Sequence, residues 1–330
     1  MTQTTQPSIK SPNNRTMVLT SQEKDQLQSK LLTLRSPATI DQITNQTIHQ
    51  DLFSTLQLLP DNFVDLLIVD PPYNLDKTFG QTKFTKLGEN ATQTYQDYVE
   101  SWFVPLIRIL KPSASVYVCC DWQCSNDIYQ VISKHLKIRN RITWEREKGR
   151  GAKTNWKNCS EDIWFGTVSG DYYFDCEAVK LKKSVIAPYK VDGQAKDWQE
   201  TDDGKFRLTM PSNLWTDISI PFWSMPENTY HPTQKPEKLI AKIILASSKV
   251  GDIVFDPFLG SGTTSVVAKK LNRNYCGIER ELEYACLTHK RLELATTNPT
   301  IQGYQDGVFW ERNSGKAMRE NGRKVGENHK

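Results

Sequence analysis

Val64-Asp65-Leu66-Leu67-Ile68-Val69-Asp70-Pro71-Pro72-Tyr73 decides the reading of this chain, because an apolar run ends there on an acid, two prolines and an aromatic ring. The run is short, rich in β-branched residues and interrupted only by Asp65, the pattern of a strand buried on both faces of a parallel sheet. Ligands of such sheets bind beyond the carboxyl ends of the strands, where Asp70 falls. A carboxylate and a ring held rigidly at that point can grip a flat heterocycle that carries an amino group.

Working outward, Tyr95, Tyr98, Val99, Trp102, Phe103, Leu106, Ile107 and Leu110 recur at helical spacing, and Lys111-Pro112 stops the helix before a strand from Ser115 to Cys119. A second helix over about Asp127 to His135 leads to a strand from Ile138 to Trp144, which continues a βαβ rhythm. From Glu145 to Tyr230 the chain is aromatic, basic and punctuated by Gly and Pro, and reads as an insertion. Order returns at His231-Pro232-Thr233-Gln234-Lys235-Pro236, where Thr233 can cap and Pro236 suits a first helical turn. Leu239, Ile240, Ile243, Ile244 and Ala246 then form an apolar stripe that Gly251 terminates. The spacing predicts an α/β fold with a doubly wound, mostly parallel, Rossmann-like sheet. Residues 1–40 are expected to be a polar, disordered tail, 41–144 one half of the sheet domain, 145–230 the insertion, 231–297 the other half, and 298–330 an extension that is flexible at its end.

The net charge of +4 over 330 residues is mild and by itself only weakly suggests a polyanionic partner. Local charge says more. Arg139, Arg141, Arg146, Lys148, Arg150, Lys153 and Lys157 crowd one stretch against Glu145 and Glu147, interleaved with Trp144 and Trp156. That stretch reads equally as a nucleic-acid rim or as an ordinary solvated loop. Trp144, Trp156, Trp164, Trp215 and Trp223 are expected mostly to pack rather than to act as base wedges. The seven cysteines lack paired zinc spacing and read as reduced core residues of a cytoplasmic protein; no metal site is expected. The amino-terminal residues lack the apolar stretch of a signal peptide, and no stretch has membrane length.

The strand Ile253-Val254-Phe255 runs into Asp256-Pro257-Phe258-Leu259-Gly260-Ser261-Gly262-Thr263-Thr264, and the next strand, Tyr275 to Ile278, ends at Glu279. Glycines between strand and helix let backbone amides approach a ligand, and a strand-terminal carboxylate can accept hydrogen bonds from both hydroxyls of a ribose. Together they read as a nucleoside site. The third glycine of a dinucleotide fingerprint is missing, so no pyrophosphate across the helix is predicted. A nicotinamide-dependent dehydrogenase would carry such a loop near its start. Here it lies late, and strands from the first half of the chain must complete the sheet around it.

With these motifs in hand, the sequence resembles the S-adenosylmethionine-dependent DNA amino-methyltransferases. Asp70-Pro71-Pro72-Tyr73 matches their catalytic DPPY motif, Asp256 to Thr264 resembles their cofactor loop, and His231 to Pro236 is similar to the segment that commonly precedes that loop. The catalytic motif comes first, with the target-recognition insertion between the two, which is the circularly permuted order of the β group. The likeness spans about Gln46 to Ala295. It implies Asp70, Pro71, Pro72 and Tyr73 as catalytic residues and S-adenosyl-L-methionine as cofactor. It implies cofactor contacts from Asp256, Phe258, Gly260, Ser261, Gly262, Thr263, Thr264, Glu279, Lys235 and Asp51, although Asp51 reads equally as the N-cap of a helix starting at Leu52. Asn74-Leu75-Asp76 is expected in a mobile loop over the site, with Gly80 and Gly88 permitting movement.

The implied substrate is double-stranded DNA, contacted by the basic stretch from Arg139 to Lys157, with base readers between Asn155 and Trp223. A separate cognate restriction endonuclease is compatible with the resemblance, as is its absence. The target is adenine N6, with a slight lead from the opening Asp, or cytosine N4. The amino lone pair of either base is delocalised into the ring, so Asp70 and the Pro71 carbonyl would each accept an amino hydrogen and aim the lone pair at the methyl group. Asp70 acts in this reading as an orienting acceptor rather than a general base. The base must leave the duplex to reach the pocket, and Tyr73 can offset part of that cost by stacking. Methylation of RNA bases or of protein glutamine is an alternative that the motif order disfavours. A non-catalytic nucleic-acid-binding module is another, disfavoured by the intact Asp70, Tyr73, Gly260, Gly262 and Glu279.

Overall fold

The computed structural model describes residues 12–75, 77–79, 82–84, 87, 94–146, 154–185, 190–191, 194–195, 197–201 and 204–312. Val64–Val69 forms the predicted strand, with Leu66, Leu67, Ile68 and Val69 buried. Asp65, the polar residue within it, lies 2.7 Å from Lys111 Nζ and accepts from the Ile253 amide at 2.9 Å, so its charge is met near the amino end of the strand.

In chain order, α1 (Ser21–Gln28), α2 (Ile40–Ile43), β1 (Gln46–His49) and α3 (Leu52–Thr55) precede β2 (Val64–Val69). A small hairpin of β3 (Lys77–Phe79) and β4 (Thr82–Phe84) leads to α4 (Tyr95–Leu106), β5 (Leu110–Cys120), α5 (Ser125–Ile132), β6 (Lys137–Glu145) and β7 (Ser160–Thr167). The insertion supplies β8 (Leu181–Ser184), a hairpin of β9 (Lys190–Val191) and β10 (Gln194–Ala195), then β11 (Gln199–Thr201), β12 (Gly204–Thr209) and β13 (Leu214–Trp215). The second half holds α6 (Glu237–Ser247), β14 (Ile253–Asp256), α7 (Thr263–Lys270), β15 (Asn274–Glu279) and α8 (Leu282–Thr297), followed by β16 (Tyr304–Gln305) and β17 (Val308–Trp310).

The eight-stranded sheet has the order β1-β15-β14-β2-β5-β7-β6-β13, and β7 alone runs against its neighbours. Side-chain alternation along β2 feeds two cores. Leu67 and Val69 join Trp102, Phe103 and Ile128 from α4 and α5 on one face, while Leu66 and Ile68 join Ile240, Ile244 and Val266 from α6 and α7 on the other. This is the doubly wound sheet expected from the sequence.

The expected boundaries move in three places. The 145–230 insertion gives β7 to the central sheet, because Ser160 to Thr167 pairs along β5 and β6 and closes the gap between them. The amino-terminal segment is no disordered tail over its described part. Thr20 and Glu23 form a capping box on α1, the Met17 amide donates to Asn228 O at 2.8 Å, and Lys290 Nζ donates to Val18 O at 2.9 Å. After residue 298, β17 pairs with β8 in a second sheet, β11-β12-β8-β17-β16, and Phe309 is fully buried. Residues 313–330 lie outside the described residues. At the start of α6, Thr233 does not cap; Pro236 occupies the N-cap, and the Glu227 carboxylate accepts from the Glu237 amide at 2.7 Å.

Two buried features hold these parts together and yield tests. Asp217 Oδ1 accepts from Lys242 of α6 at 2.7 Å, while Lys238 of the same helix pairs with Oδ2 at 2.7 Å and donates to the carbonyls of Asp217 and Trp310, tying the second sheet to the helix. Burial pulls the Lys238 pKa down to about 8 against the pull of Asp217. Asp217→Ala would leave two buried ammonium groups without their anion, a loss of about 3–5 kcal/mol that chemical denaturation should register. Gly262, at φ +80°, caps α7, and a Cβ there would lie 2.4 Å from Thr288 of α8. Gly262→Ala should therefore lower unfolding free energy by at least about 1–2 kcal/mol, and Thr288→Ser in the same chain should recover part of it.

Candidate active site

The carboxyl ends of β1, β15, β14, β2 and β5 lie along one edge of the sheet, and a cavity of about 340 Å³ opens over them. Asp51, Glu279, Asp256, Asp70 and Asp121 all line it, each at or just beyond the end of its strand. Pairing fixes their order. Val254 and Phe255 of β14 pair with Leu66 and Leu67 of β2, so the end of the strand that leads to Asp70 sits beside the end of the glycine-loop strand.

On the β2 side, Tyr73 OH donates to Asp70 Oδ1 at 2.9 Å and Lys235 Nζ donates to Oδ2 at 2.6 Å. Lys235 was expected at the cofactor; its side chain instead stands against Asp70, although its carbonyl accepts from Thr263 Oγ1 at 3.1 Å. Burial alone would lower the Lys235 pKa, but the Asp70 and Glu161 carboxylates outweigh it and hold the ammonium above the ordinary lysine value. Burial, followed by the charges of Asp70 and Glu161, raises the Tyr73 phenol well above its usual range. The Pro72 carbonyl accepts from Tyr95 OH at 3.0 Å, whereas the Pro71 carbonyl has no protein donor among the described residues. The Asn74 side chain exchanges hydrogen bonds with Leu87, while Asp76, Gly80 and Gly88 lie outside the described residues.

On the β14–β15 side, Glu279 accepts from the Gly260 amide through Oε2 and from the Glu281 amide through Oε1, both at 2.7 Å. Burial raises its pKa to about 7 in spite of these donors. Asp256, also raised to about 7 by burial, accepts from the Phe258 amide at 3.0 Å and from Thr264 Oγ1 at 2.6 Å, so it shapes the loop from beneath. Gly260, Ser261, Thr263, Thr264 and Phe258 line the cavity. Gly262 is not among its lining residues; α8 packing, not ligand approach, demands a glycine there. Asp51 caps α3 through the Phe53 amide at 2.9 Å, as its N-cap reading expects, and it also lines the cavity.

The basic stretch does not form one continuous rim in the described residues. Arg139 sits at the far end of β6, donating to Thr167 Oγ1 and Ser169 O at 2.9 Å, away from the cavity edge. Arg141 is 3.9 Å from Asp162, and Arg146 lines the cavity itself, bonded to Glu161. Lys157 is exposed close to that edge, and Lys148, Arg150 and Lys153 lie outside the described residues. Trp144 and Trp215 pack as expected, each donating its indole N–H to a carbonyl, whereas Trp156 is 94% exposed. Cys159 is exposed and Cys176 half-buried, unlike the other five cysteines, which are buried as expected.

Sequence reasoning missed three supporting residues. Glu161, the second residue of β7, lines the cavity 3.4 Å from both Lys235 Nζ and Tyr73 OH; its signal was an acid near the start of an aromatic apolar run, the mirror of Asp70 at the end of one. Arg291, buried on α8, holds the glycine loop through Ser261 O at 2.8 Å and Thr263 Oγ1 at 3.0 Å, and bonds Glu237 at 3.0 Å. His231 packs its ring 3.0 Å from where a Gly260 Cβ would stand, so the glycine here makes room for this histidine. No group of metal-ligating side chains occurs among the described residues, and none of their helices is long and apolar enough to cross a membrane.

The family model N6_N4_Mtase, described as DNA methylase, matches residues 64–290. The chain is 32% identical over 249 residues to the type II methyltransferase M.HpaI of Haemophilus parainfluenzae, covering 74% of this chain and 73% of that one. It is 33% identical over 257 residues to the DNA adenine methyltransferase YhdJ of Escherichia coli, covering 76% and 83%. Among solved structures, the cytosine-N4-specific PvuII DNA methyltransferase shares the fold with a TM-score of 0.55 at 18% identity, over 78% of this chain and 87% of that one. Enzymes of this family move a methyl group from S-adenosylmethionine to an exocyclic amino group of a DNA base. With the Asp70-to-Tyr73 and glycine-loop strand ends side by side and the match running through both, the chain belongs to the N6/N4 family of DNA methyltransferases.

Proposed function

We propose that this enzyme methylates N6 of adenine in double-stranded DNA. The observation that carries the choice of base is the similarity to a DNA adenine methyltransferase at 33% identity over most of both chains. The Asp that opens the tetrapeptide is consistent with it. Nucleoside mass spectrometry of DNA from cells expressing the chain should show N6-methyladenine; N4-methylcytosine in its place would overturn the assignment, and modified-base sequencing would give the recognition site.

The residues over the sheet edge fit the cofactor. Glu279 presents a carboxylate in the cavity beside left-handed Gly260, the pairing that suits ribose hydroxyls next to a backbone amide loop. Asp51 and Phe258 flank that side and can receive the adenine moiety. When bound, S-adenosylmethionine supplies an electrophilic methyl group on a sulfonium centre. Asp70 and the Pro71 carbonyl accept the amino hydrogens of the extruded base, which localises the nitrogen lone pair and turns it toward the cofactor side. Tyr73, pinned by its hydroxyl to Asp70, offers its ring to the base. Direct transfer needs no covalent intermediate, so the buried Cys119 and Cys120 have no nucleophilic part to play. Arg141, Arg146 and Lys157, with Lys148, Arg150 and Lys153, are proposed to meet the DNA backbone; Arg139 stands too far along β6 to join them.

Two outcomes test this arrangement. Asp70→Ala should reduce methyl transfer from labelled S-adenosylmethionine to phage DNA by at least about a thousandfold, with cofactor affinity held within a few fold; near-normal turnover would remove Asp70 from the reaction. Cofactor binding should tighten by about tenfold between pH 6 and pH 8, because Glu279, raised to about 7, is neutral below that range and accepts ribose hydroxyls best once ionised. Calorimetry on Glu279→Gln should show weaker binding and a flattened pH dependence.

A further inference from the structure

Lys235 presents a chemical problem to the reaction. It is buried, 8% exposed, with its ammonium 2.6 Å from the carboxylate proposed to receive the target amino group. An ammonium hydrogen turned toward that amine would donate to the very lone pair the site must free for attack. A lysine ammonium has three N–H donors, and all three must therefore point elsewhere.

Three oxygens surround the Lys235 ammonium, two in hydrogen-bond geometry and the third in ion-pair contact. Asp70 Oδ2 lies 2.6 Å from Lys235 Nζ, the Tyr73 phenol oxygen 3.3 Å and Glu161 Oε2 3.4 Å. The Tyr73 hydroxyl donates to Asp70 Oδ1 at 2.9 Å, with Glu161 Oε2 at a longer 3.4 Å, so the shorter bond takes its hydrogen and leaves its oxygen free to accept. Glu161 is 5% exposed, and its other oxygen, Oε1, is bonded by Arg146. Burying a second carboxylate beside Asp70 is costly, and nothing in the pairing of β7 calls for an acid at this position. Cys119 and Cys120 on β5, Asp256 on β14 and His231 lie nearby as well, and within the cluster Asp70 and Glu161 match Lys235 and Arg146 in number of charges.

We propose that Glu161 is a positioning residue for methyl transfer: anchored by Arg146, it takes up the third N–H of Lys235 and keeps that ammonium from quenching the target amine. The inference rests on the reading that Asp70 receives the amino group. Lys235 thereby stays on Asp70 while its remaining hydrogens stay off the nucleophile.

The test compares Glu161→Leu, Lys235→Met and the double variant of the full chain, using unmethylated phage genomic DNA and labelled S-adenosylmethionine. Glu161→Leu should lower kcat by at least about thirtyfold, with the KM for DNA and the cofactor Kd within threefold of the parent. The double variant should be no slower than Glu161→Leu alone, because the free ammonium hydrogen is gone. In the Lys235→Met background the Leu substitution should cost less than threefold, a comparison that holds even if Glu161→Leu alone fails to fold. A merely structural Glu161 predicts multiplicative losses, and a further tenfold drop in that background overturns the proposal, as does a normal kcat in Glu161→Leu. Asp70→Ala separates the two levels: if it keeps turnover the acceptor reading fails, and if it is inactive while Glu161→Leu is normal only this inference fails.

Discussion

The pairing of β14 with β2 is the constraint on which the molecule depends. It joins segments nearly two hundred positions apart, Val254 to Leu66 and Phe255 to Leu67, and sets the two functional strand ends next to each other. Both strands are buried on both faces, so their backbone groups must be satisfied within the sheet and their side chains shared between two helical layers. A one-residue slip would turn Leu67 and Val69 away from Trp102 and Phe103. Register therefore fixes the height of Asp70 relative to Asp256, and with it the meeting of the two halves of the cavity.

Around that edge the protein concentrates buried charge. Asp256 and Glu279 are held under the glycine loop with raised pKa values, while Asp70, Glu161, Lys235 and Arg146 form a balanced set on the acceptor side. Such groups are expensive to bury, and a sheet edge packed with apolar residues would be more stable. Their cost is borne by the two large cores on either face of the sheet. The same division explains the roles of the glycines: Gly260 yields to His231 at the site, whereas Gly262 yields to Thr288 in the packing of α8.

The outer parts act as braces. The amino-terminal segment links the stretch around Asn228 to α8, and the carboxyl-terminal β17 enters the insertion's sheet beside β8. Both looked like polar ends, because polarity in a short segment says little when its hydrogen bonds go to distant backbone. Arg139 illustrates the converse. Its charge suggested a place on a DNA rim, but it stands near the start of β6, at the other end from Glu145 and the cavity edge, and its donors are taken up by Thr167 and Ser169.

The sequence by itself determined the fold class and the family, and it put Asp70 to Tyr73, the glycine loop and Glu279 at strand ends, since each depends on short-range order: an apolar run, a rigid turn, a glycine, an acid at a strand end. It left Asp51 between two readings and placed Lys235 with the cofactor, because the side-chain direction of a residue in a turn is not encoded locally. Tertiary structure alone decided that Lys235 stands on Asp70, that Glu161 comes beside Lys235 and Tyr73, and that Arg291 holds the loop from α8. Those contacts join residues from different strands and helices. Their physical basis is the return of the hairpin β6–β7 to the sheet and the packing of α8 on α7, which no single stretch of sequence displays.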